Sequence, residues 1–176
     1  NKGMNTLQEI RRKTAYEPDT PPSQQQAVRT WLTGLRQDYP YALTLTLKQS
    51  ITVKNDRGIY QRKLRREDCD RIAHRFKQKL NREVFGRHHA ERYGHTLNYL
   101  AVVEGERSGK ALHLHIAIGN CPSYVTPVQL QSLVSNARLQ VRELDEQFEL
   151  NIADSGWLSY ITKEVGRRDS DNVLWQ

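Results

Sequence analysis

The sequence has few cysteines and no long apolar segment, and both shortages narrow the class of protein. Its two cysteines, Cys69 and Cys121, stand far apart and form no Cys-x-x-Cys pattern. This argues against a disulfide framework and against a zinc site built from paired thiolates. The apolar segments have the length of strands, and the N-terminal residues lack the hydrophobic core of a signal peptide. We therefore expect a cytoplasmic protein that is not embedded in a membrane.

Basic residues outnumber acidic ones along the chain. The 27 Lys and Arg residues face 20 Asp and Glu residues, which gives a net charge of +7. This excess favours a polyanionic partner such as nucleic acid, although a basic surface that only aids solubility would show the same charge. The 176 residues are enough for one domain with a substantial core. We expect a flexible tail over residues 1–22, the domain over residues 23–168 and a C-terminal tail over residues 169–176.

The spacing of apolar residues predicts an α+β fold. Period-two alternation predicts strands over residues 41–48, 96–104, 111–119 and 148–154. Helical spacing predicts helices over residues 23–39, 67–86, 126–148 and 155–166. Between residues 49 and 66, an Asn-Asp-Arg-Gly turn signal and many basic residues predict a basic hairpin or loop. This order of elements predicts a central antiparallel sheet flanked by helices on at least one side.

Two histidines stand one residue apart in the strand predicted over residues 111–119. His113 and His115 alternate with large apolar residues, so they lie on the face opposite the core. Their face carries small residues and the core face carries branched ones: Ala111 and Ala117 on the first, and Leu112, Leu114, Ile116 and Ile118 on the second. Small neighbours leave room for a ligand beside the imidazoles, whereas hydrogen-bonded structural histidines are the alternative.

A carboxylate on the preceding strand is expected beside this pair. If Ser108 and Gly109 are the central residues of a tight turn, Glu104 lies directly opposite His113 and on the same face. Directly paired residues have Cβ atoms about 5 Å apart, which brings the carboxylate and both imidazoles within reach of one ion. A longer turn would bring Glu106 there instead, and this alternative stays open. The mixed donor set predicts a divalent metal site for Mg²⁺ or Mn²⁺, ahead of Zn²⁺.

The helix predicted over residues 155–166 contains a tyrosine and a lysine away from its apolar stripe. Tyr160 and Lys163 lie about 60° apart on the side opposite Leu158, Ile161 and Val165. Together with a metal ion, a phenol and an ammonium group form a coherent set for transesterification of a phosphodiester. An exposed Tyr and Lys on a solvated helix face would show the same spacing, so the helix alone does not decide.

Three short motifs together resemble the HUH endonucleases, and within them the single-tyrosine replication initiators (Rep) more than the relaxases. The sequence "ALTLTL" at residues 42–47 resembles the first motif, "HLH" at 113–115 the metal motif, and "YITKE" at 160–164 the Tyr-x-x-Lys motif. They appear in the family's order within residues 41–166. No second tyrosine stands in a Tyr-x-x-x-Tyr arrangement, which argues against the two-tyrosine initiators. No GxxxxGK[ST] phosphate loop appears either, so a helicase domain is absent from this sequence or supplied by another protein.

The resemblance implies both a fold and a reaction. It implies a sheet of about five antiparallel strands, related to the RNA-recognition fold, with the metal site on its open face. It implies His113 and His115 as metal ligands, Glu104 as the third ligand, Tyr160 as the nucleophile and Lys163 as the assisting cation. The implied reaction nicks single-stranded or hairpin origin DNA, leaves a 5′-phosphotyrosine and a free 3′ hydroxyl, and later religates the strand. A helicase and host replication proteins are the further partners implied.

The residues expected to contact DNA fall into three groups. Thr44, Thr46 and Lys48 share the metal-bearing face if their strand is a neighbour of the histidine strand. Trp157 precedes Tyr160 by one turn and can stack on a base. The basic segment adds the cations that would give salt-dependent affinity: Lys54, Arg57, Arg62, Lys63, Arg65 and Arg66.

Three other functions stay open at this point. A relaxase or transposase of the same superfamily would use the same chemistry on another substrate. A nucleic-acid-binding protein that does not cut would usually present stacking aromatics on its sheet, where this chain has Thr, His and Glu. A zinc-dependent hydrolase built on Glu104, His113 and His115 would leave Tyr160 and Lys163 without a role.

Overall fold

The computed structural model describes residues 39–105, 111–154, 157 and 173–174. In chain order its elements are β1 (Tyr41–Leu47), β2 (Ser50–Asn55), β3 (Gly58–Lys63), α1 (Arg66–Phe85), α2 (Arg87–Arg92), β4 (Asn98–Glu104), β5 (His113–Gly119), α3 (Pro127–Leu139), β6 (Leu144–Ile152) and β7 (Val173–Leu174). The helix predicted over residues 23–39, except for its last residue Tyr39, and nearly all of the one over 155–166 lie outside the described residues. None of the described helices is long and apolar enough to cross a membrane.

The main sheet contains five strands in the order β6-β1-β5-β4-β7, and every neighbouring pair is antiparallel. The predicted α+β fold with a central antiparallel sheet of about five strands is therefore confirmed. The fifth strand is short: β7 pairs only with Ala101 and Val102 of β4. Its two residues lie in the segment that the sequence places in a C-terminal tail.

One face of the sheet packs against α1 and α3 to form the main core. The alternating positions of β1 and β5 supply Leu43, Leu45, Leu114, Ile116 and Ile118 to it, and α3 supplies Leu130 and Val134. The helix predicted over residues 67–86 matches α1, and its four-residue stripe of Ile72, Phe76, Leu80 and Val84 is buried. The helix ends at Gly86, whose φ of +81° favours glycine. The alternation in the sequence thus identifies the core face of the sheet correctly.

The prediction of one long helix over residues 126–148 is wrong at its C-terminal end. Helix α3 ends at Leu139, and β6 already begins at Leu144. Strand β6 pairs with the outer edge of β1, from Leu144 opposite Leu47 to Ile152 opposite Tyr41. This pairing satisfies backbone groups of β1 that would otherwise face solvent at a sheet edge, which outweighs the helical propensity of the segment. The short helix α2 was not predicted either.

The basic segment of residues 49–66 forms the predicted hairpin. Strands β2 and β3 pair with each other in a separate two-stranded sheet, with Asn55 opposite Gly58 across the turn. The turn residue Gly58 has a φ of +123°, a conformation that other residues adopt only with strain. The hairpin joins β1, at one end of the histidine-bearing face, to the start of α1.

Candidate metal centre

The candidate site lies where β1 and β4 flank β5 at one end of the main sheet. Glu104 of β4 is directly opposite His113, which is the pairing expected from a two-residue turn at Ser108–Gly109. The turn itself and Glu106 lie outside the described residues. On the other side of β5, Thr44 pairs with His115 and Thr46 with His113. The two threonines therefore share a sheet face with the histidines, as the sequence predicts.

Three potential metal ligands converge on this face. Glu104, His113 and His115 each offer a ligand atom, and these atoms all lie within 4.8 Å of one another. Glu104 Oε2 lies 2.5 Å from His115 Nε2 and 3.4 Å from His113 Nε2. The two imidazole rings meet edge to face, with centroids 5.3 Å apart. A single carboxylate oxygen thus faces the Nε2 atoms of both histidines.

A backbone hydrogen bond fixes the orientation of the His113 ring. Its Nδ1 lies 2.7 Å from the carbonyl oxygen of Ala111. A carbonyl oxygen only accepts, so Nδ1 must carry the hydrogen, and in a neutral imidazole Nε2 then holds a lone pair. That lone pair belongs to the atom that faces Glu104. Histidine ligands in proteins usually show this arrangement, with the second ring nitrogen bonded to a carbonyl or carboxylate.

His115 is held at both ring nitrogens. Its Nδ1 lies 3.1 Å from Thr44 Oγ1, while its Nε2 lies against the Glu104 carboxylate. A threonine hydroxyl both donates and accepts, so Thr44 can keep its hydrogen bond with either tautomer of His115. With the hydrogen on Nδ1, the Nε2 lone pair becomes available to a cation. Thr44 is therefore a positioning residue for His115, in addition to its predicted place beside DNA.

The site opens toward solvent on the side of His113. The His113 side chain is 25% exposed, whereas those of His115 and Glu104 are 7% and 8% exposed. Further along the same face, Ala42, Leu100, Val102 and Ala117 are each less than 5% exposed. The resemblance implies a metal site on an open sheet face, but the centre of this face is buried. A substrate would approach from the end of the sheet where β5 begins.

The donor set fits a divalent cation. Ligands about 2.1 Å from an ion lie roughly 3.0 to 3.4 Å from one another. The 3.4 Å between Glu104 Oε2 and His113 Nε2 matches this range, while the 2.5 Å to His115 Nε2 is a hydrogen bond that a small side-chain shift would open. Two imidazoles and one carboxylate suit Mn²⁺ and Zn²⁺, and Mg²⁺ with additional water ligands. Three protein ligands leave further coordination positions for substrate oxygens.

Comparisons with known protein families, curated proteins and solved structures find no match. The resemblance to the HUH endonucleases therefore depends on the three short motifs of the sequence.

The predicted nucleophile and its cation fall outside the described residues. Tyr160 and Lys163 both lie in the undescribed part of the segment that follows β6, so they stay sequence predictions. Trp157, one turn earlier, is half-buried, and its backbone N–H donates to Asp154 Oδ1 at 2.7 Å. An aspartate that accepts from the third residue after it is typical of a helix N-terminus, as predicted for this segment.

The basic residues predicted to contact DNA divide into exposed and paired ones. Both outer nitrogens of Arg62 donate to the two carboxylate oxygens of Asp68 at 2.7 Å, and Arg66 pairs with Asp70 at 3.2 Å. The bidentate bond from Arg62 lowers the pKa of Asp68, against the opposing effect of burial. The other predicted cations are exposed: Lys48, Lys54, Arg57, Lys63 and Arg65.

Two groups that hold the histidines in place were not predicted from the sequence. The carbonyl of Ala111 orients His113, and the hydroxyl of Thr44 hydrogen-bonds to His115, whereas Thr44 was expected to contact DNA. The role of Thr44 depends on the register between β1 and β5, which are far apart in sequence, whereas the contact of Ala111 with His113 is local. A period-two pattern gives the face of each residue but not its cross-strand partner.

Proposed function

We propose that this protein is a metal-dependent DNA nickase that cuts one strand by transesterification to a tyrosine. The main support is the convergence of Glu104, His113 and His115 on one end of the sheet face opposite the core. A second support is the Tyr-x-x-Lys motif downstream, which supplies a nucleophile of the required type. The net charge of +7 favours a polyanionic substrate.

The residues divide the work between holding a cation and handling the phosphodiester. Glu104, His113 and His115 would hold Mn²⁺ or Mg²⁺, with Thr44 and the Ala111 carbonyl fixing the two imidazoles. A cation bound there supplies a Lewis acid that polarises the scissile phosphate. Lys163 neutralises charge on the phosphate oxygens, and the exposed Lys48 extends the positive surface at the open end of the site.

The bond changes follow from a tyrosine nucleophile. The Tyr160 phenol loses its proton and its oxygen bonds to phosphorus, while the bond from phosphorus to the 3′ oxygen breaks. The 3′ oxygen takes up a proton and leaves as a free hydroxyl, and the 5′ phosphate stays on the tyrosine. The reverse reaction, in which a 3′ hydroxyl attacks the phosphotyrosine, rejoins two strands without an external energy source because the ester bond is conserved.

A covalent adduct tests this proposal directly. The protein is incubated with MnCl₂ and 3′-labelled single-stranded 60-mers of random sequence, then denatured and separated on a gel. The 3′ label is chosen because the fragment downstream of the nick is the one that stays on the tyrosine. We expect a labelled protein band that chelation of the metal prevents, and a modified peptide that contains Tyr160.

Matched substitutions separate this chemistry from general damage to the fold. Tyr160→Phe should abolish the adduct, whereas Tyr124→Phe, at a side chain that is 72% exposed, should retain it. His113→Ala should abolish the adduct, whereas His88→Ala, at an exposed position on α2, should retain it. An adduct of normal yield in Tyr160→Phe would refute the nucleophile. If the parent protein forms no adduct but binds the same DNA, it is a nucleic-acid-binding protein without cleavage activity.

A further inference from the structure

The β2–β3 hairpin projects from the body of the protein. Near its base Ile51 is buried and Val53 is half-buried, but from Lys54 to Gln61 every residue is exposed. Ile59 is 71% exposed and Tyr60 is 44% exposed, which is unusual for large apolar side chains in two adjacent positions. An isolated two-stranded hairpin is only marginally stable in water, so its persistence requires anchors at the base.

Two anchors hold the hairpin to the body. The bidentate pair between Arg62 and Asp68 joins β3 to the first turn of α1. Asp68 also accepts the backbone N–H of Arg65 at 2.8 Å, which fixes the connection between strand and helix. The apolar anchors Ile51 and Leu64 are both 3% exposed. The hairpin is thus a fixed projection with a defined direction.

A third anchor ties the base of the hairpin to the candidate metal centre. The side-chain amide of Gln49 donates to the carbonyl of Leu112 at 3.0 Å, and its oxygen accepts from the N–H of Leu112 at 2.9 Å. The same amide nitrogen donates to the carbonyl of Leu47 at 2.7 Å. Leu112 directly precedes His113. The residue before the hairpin therefore binds the backbone next to a candidate metal ligand.

The outer face of the hairpin presents polar and cationic side chains in two parallel rows. Its members follow from the pairing of β2 with β3: Ser50, Thr52, Lys54, Ile59, Gln61 and Lys63. Gln61 links the rows, since its oxygen accepts from Ser50 Oγ at 3.0 Å and its nitrogen donates to Thr52 Oγ1 at 3.1 Å. Arg57 extends the positive charge to the turn, where Asp56 is the only acidic residue of the segment from 48 to 66.

These properties match the major groove of a DNA duplex. That groove is about 12 Å wide and admits a two-stranded β-ribbon, whose strands lie about 4.8 Å apart. Glutamine and threonine side chains hydrogen-bond base edges there, an apolar side chain such as Ile59 contacts the thymine methyl, and Lys or Arg reach the phosphates. A single strand would instead require stacking aromatics on the outer face, but Tyr60 lies on the other face.

We infer that the β2–β3 hairpin binds duplex DNA through its major groove and that Gln49 sets the position of this duplex relative to the metal centre. The inference rests on the proposed function for its choice of DNA as the partner. It does not depend on cleavage, because the hairpin and the site use different residues. In a DNA substrate that folds into a stem and loop, the β2–β3 hairpin would bind the major groove of the stem while the unpaired strand enters the site at His113.

Salt-dependent binding tests this inference without any cleavage. Binding of a labelled 20-base-pair duplex of random sequence is measured by fluorescence anisotropy in EDTA, over a series of NaCl concentrations. The slope of log affinity against log salt is negative, and each phosphate contact makes it steeper by about 0.9, so Lys54→Ala/Arg57→Ala should reduce its magnitude by about 1.8. The matched variant Arg87→Ala/Arg142→Ala removes two exposed cations elsewhere, at 81% and 73% side-chain exposure, and should leave the slope unchanged. Equal losses in both variants would overturn the inference.

Chemical footprinting identifies the groove. Dimethyl sulfate methylates guanine N7 in the major groove, so the parent protein should protect N7 positions of a bound duplex and Lys54→Ala/Arg57→Ala should not. Absence of N7 protection at saturating parent protein would overturn the inference. The inference would also be overturned if the parent protein preferred single-stranded to duplex DNA and Lys54→Ala/Arg57→Ala abolished that preference.

The adduct assay distinguishes the two proposals. If the parent protein forms the adduct with single-stranded 60-mers and Lys54→Ala/Arg57→Ala binds duplex weakly, both proposals are supported. If the parent protein binds duplex through the hairpin but forms no adduct, the proposed nickase activity fails and the duplex-binding surface stands. If Lys54→Ala/Arg57→Ala binds duplex as well as the parent protein and the parent forms the adduct, the nickase proposal stands and the duplex-binding inference fails.

Discussion

Two buried carboxylates in this protein have similar burial and different partners. Asp68 is 4% exposed and Glu104 is 7% exposed. Asp68 accepts hydrogen bonds from the guanidinium of Arg62 and from the backbone N–H of Arg65. Glu104 faces the Nε2 atoms of His113 and His115. Burial alone therefore does not tell which of the two carboxylates belongs to a functional site.

The partners of the two carboxylates differ in whether they can give up a proton and coordinate a cation instead. A guanidinium is always charged, only donates hydrogen bonds and cannot coordinate a cation. An imidazole can exchange its N–H for a lone pair at the same atom, which lets the group around Glu104 change from a hydrogen-bonded set to a ligand set. The pair of Asp68 with Arg62 is suited to anchoring a hairpin, and the Glu104 group is suited to holding an ion.

The largest difference between the two carboxylates should appear in metal affinity. Glu104→Gln keeps the shape of the side chain but removes the anionic ligand, and should weaken Mn²⁺ binding by more than about 100-fold, beyond the effect of a typical outer-sphere residue. Asp68→Asn should leave the affinity unchanged within a factor of about two, because its carboxylate is committed to Arg62. Isothermal titration with MnCl₂ measures both. Similar losses in the two variants would show that the affinity reflects the fold and not this ligand set.

A smaller loss is expected when the support of His115 is removed. Thr44→Val keeps the volume but deletes the hydroxyl that binds His115 Nδ1, and should weaken Mn²⁺ binding about tenfold. The matched control is Thr46→Val on the same strand and face, opposite His113, whose Nδ1 is held by Ala111. The same titration compares them. A larger effect at Thr46 than at Thr44 would contradict the positioning role of Thr44.

Stability should reverse the order of the two carboxylates. Asp68→Ala removes an acceptor at the N-terminus of α1, and we expect a loss of about 1 kcal/mol in the free energy of unfolding from this bond alone. Glu104→Gln, which retains an oxygen acceptor for His115, should cost less. Urea denaturation in EDTA gives both values. A greater loss for Glu104→Gln would mean that Glu104 has a structural role comparable to that of Asp68.

The smallest expected effect is a pH dependence of the Asp68 contribution. Because the pKa of Asp68 is lowered in the folded state, its ionised form stabilises the fold above the unfolded pKa of about 4. This stabilisation is lost as the pH falls through the lower, folded pKa. The difference in unfolding free energy between the parent and Asp68→Asn should thus be constant from about pH 5 to 7 and shrink below about pH 4. A difference that grows toward low pH would show that the sign is wrong.

The sequence predicts the faces of the sheet well because strand geometry is local. Alternation along β5 places His113 and His115 opposite the core, and a two-residue turn gives the pairing of Glu104 with His113 that the structure has. The α1 stripe and the β2–β3 hairpin were predicted for the same reason: each depends on periodicity or on a turn signal within a few residues.

The errors and omissions concern contacts that local sequence patterns do not specify. The end of α3 was misplaced because the partner of Leu144–Ile152 is β1, about 100 residues earlier in the chain. The contacts of Thr44 with His115 and of Gln49 with Leu112 were missed because they depend on the strand order, which local patterns do not specify. The pairing of Arg62 with Asp68 was missed because a basic run next to a helix start does not show which cation pairs inward.

The Gln49 side chain has a consequence for where a strand would be cut. Its amide pairs with both backbone groups of Leu112, much as a neighbouring strand residue would, so the hairpin base is bonded directly to the segment that leads into His113. If the proposed nickase activity and duplex binding both hold, this connection would set the number of nucleotides between the last base pair of the stem and the nick. Lengthening the stem by one base pair should move the nick by one nucleotide, whatever the base at the new position.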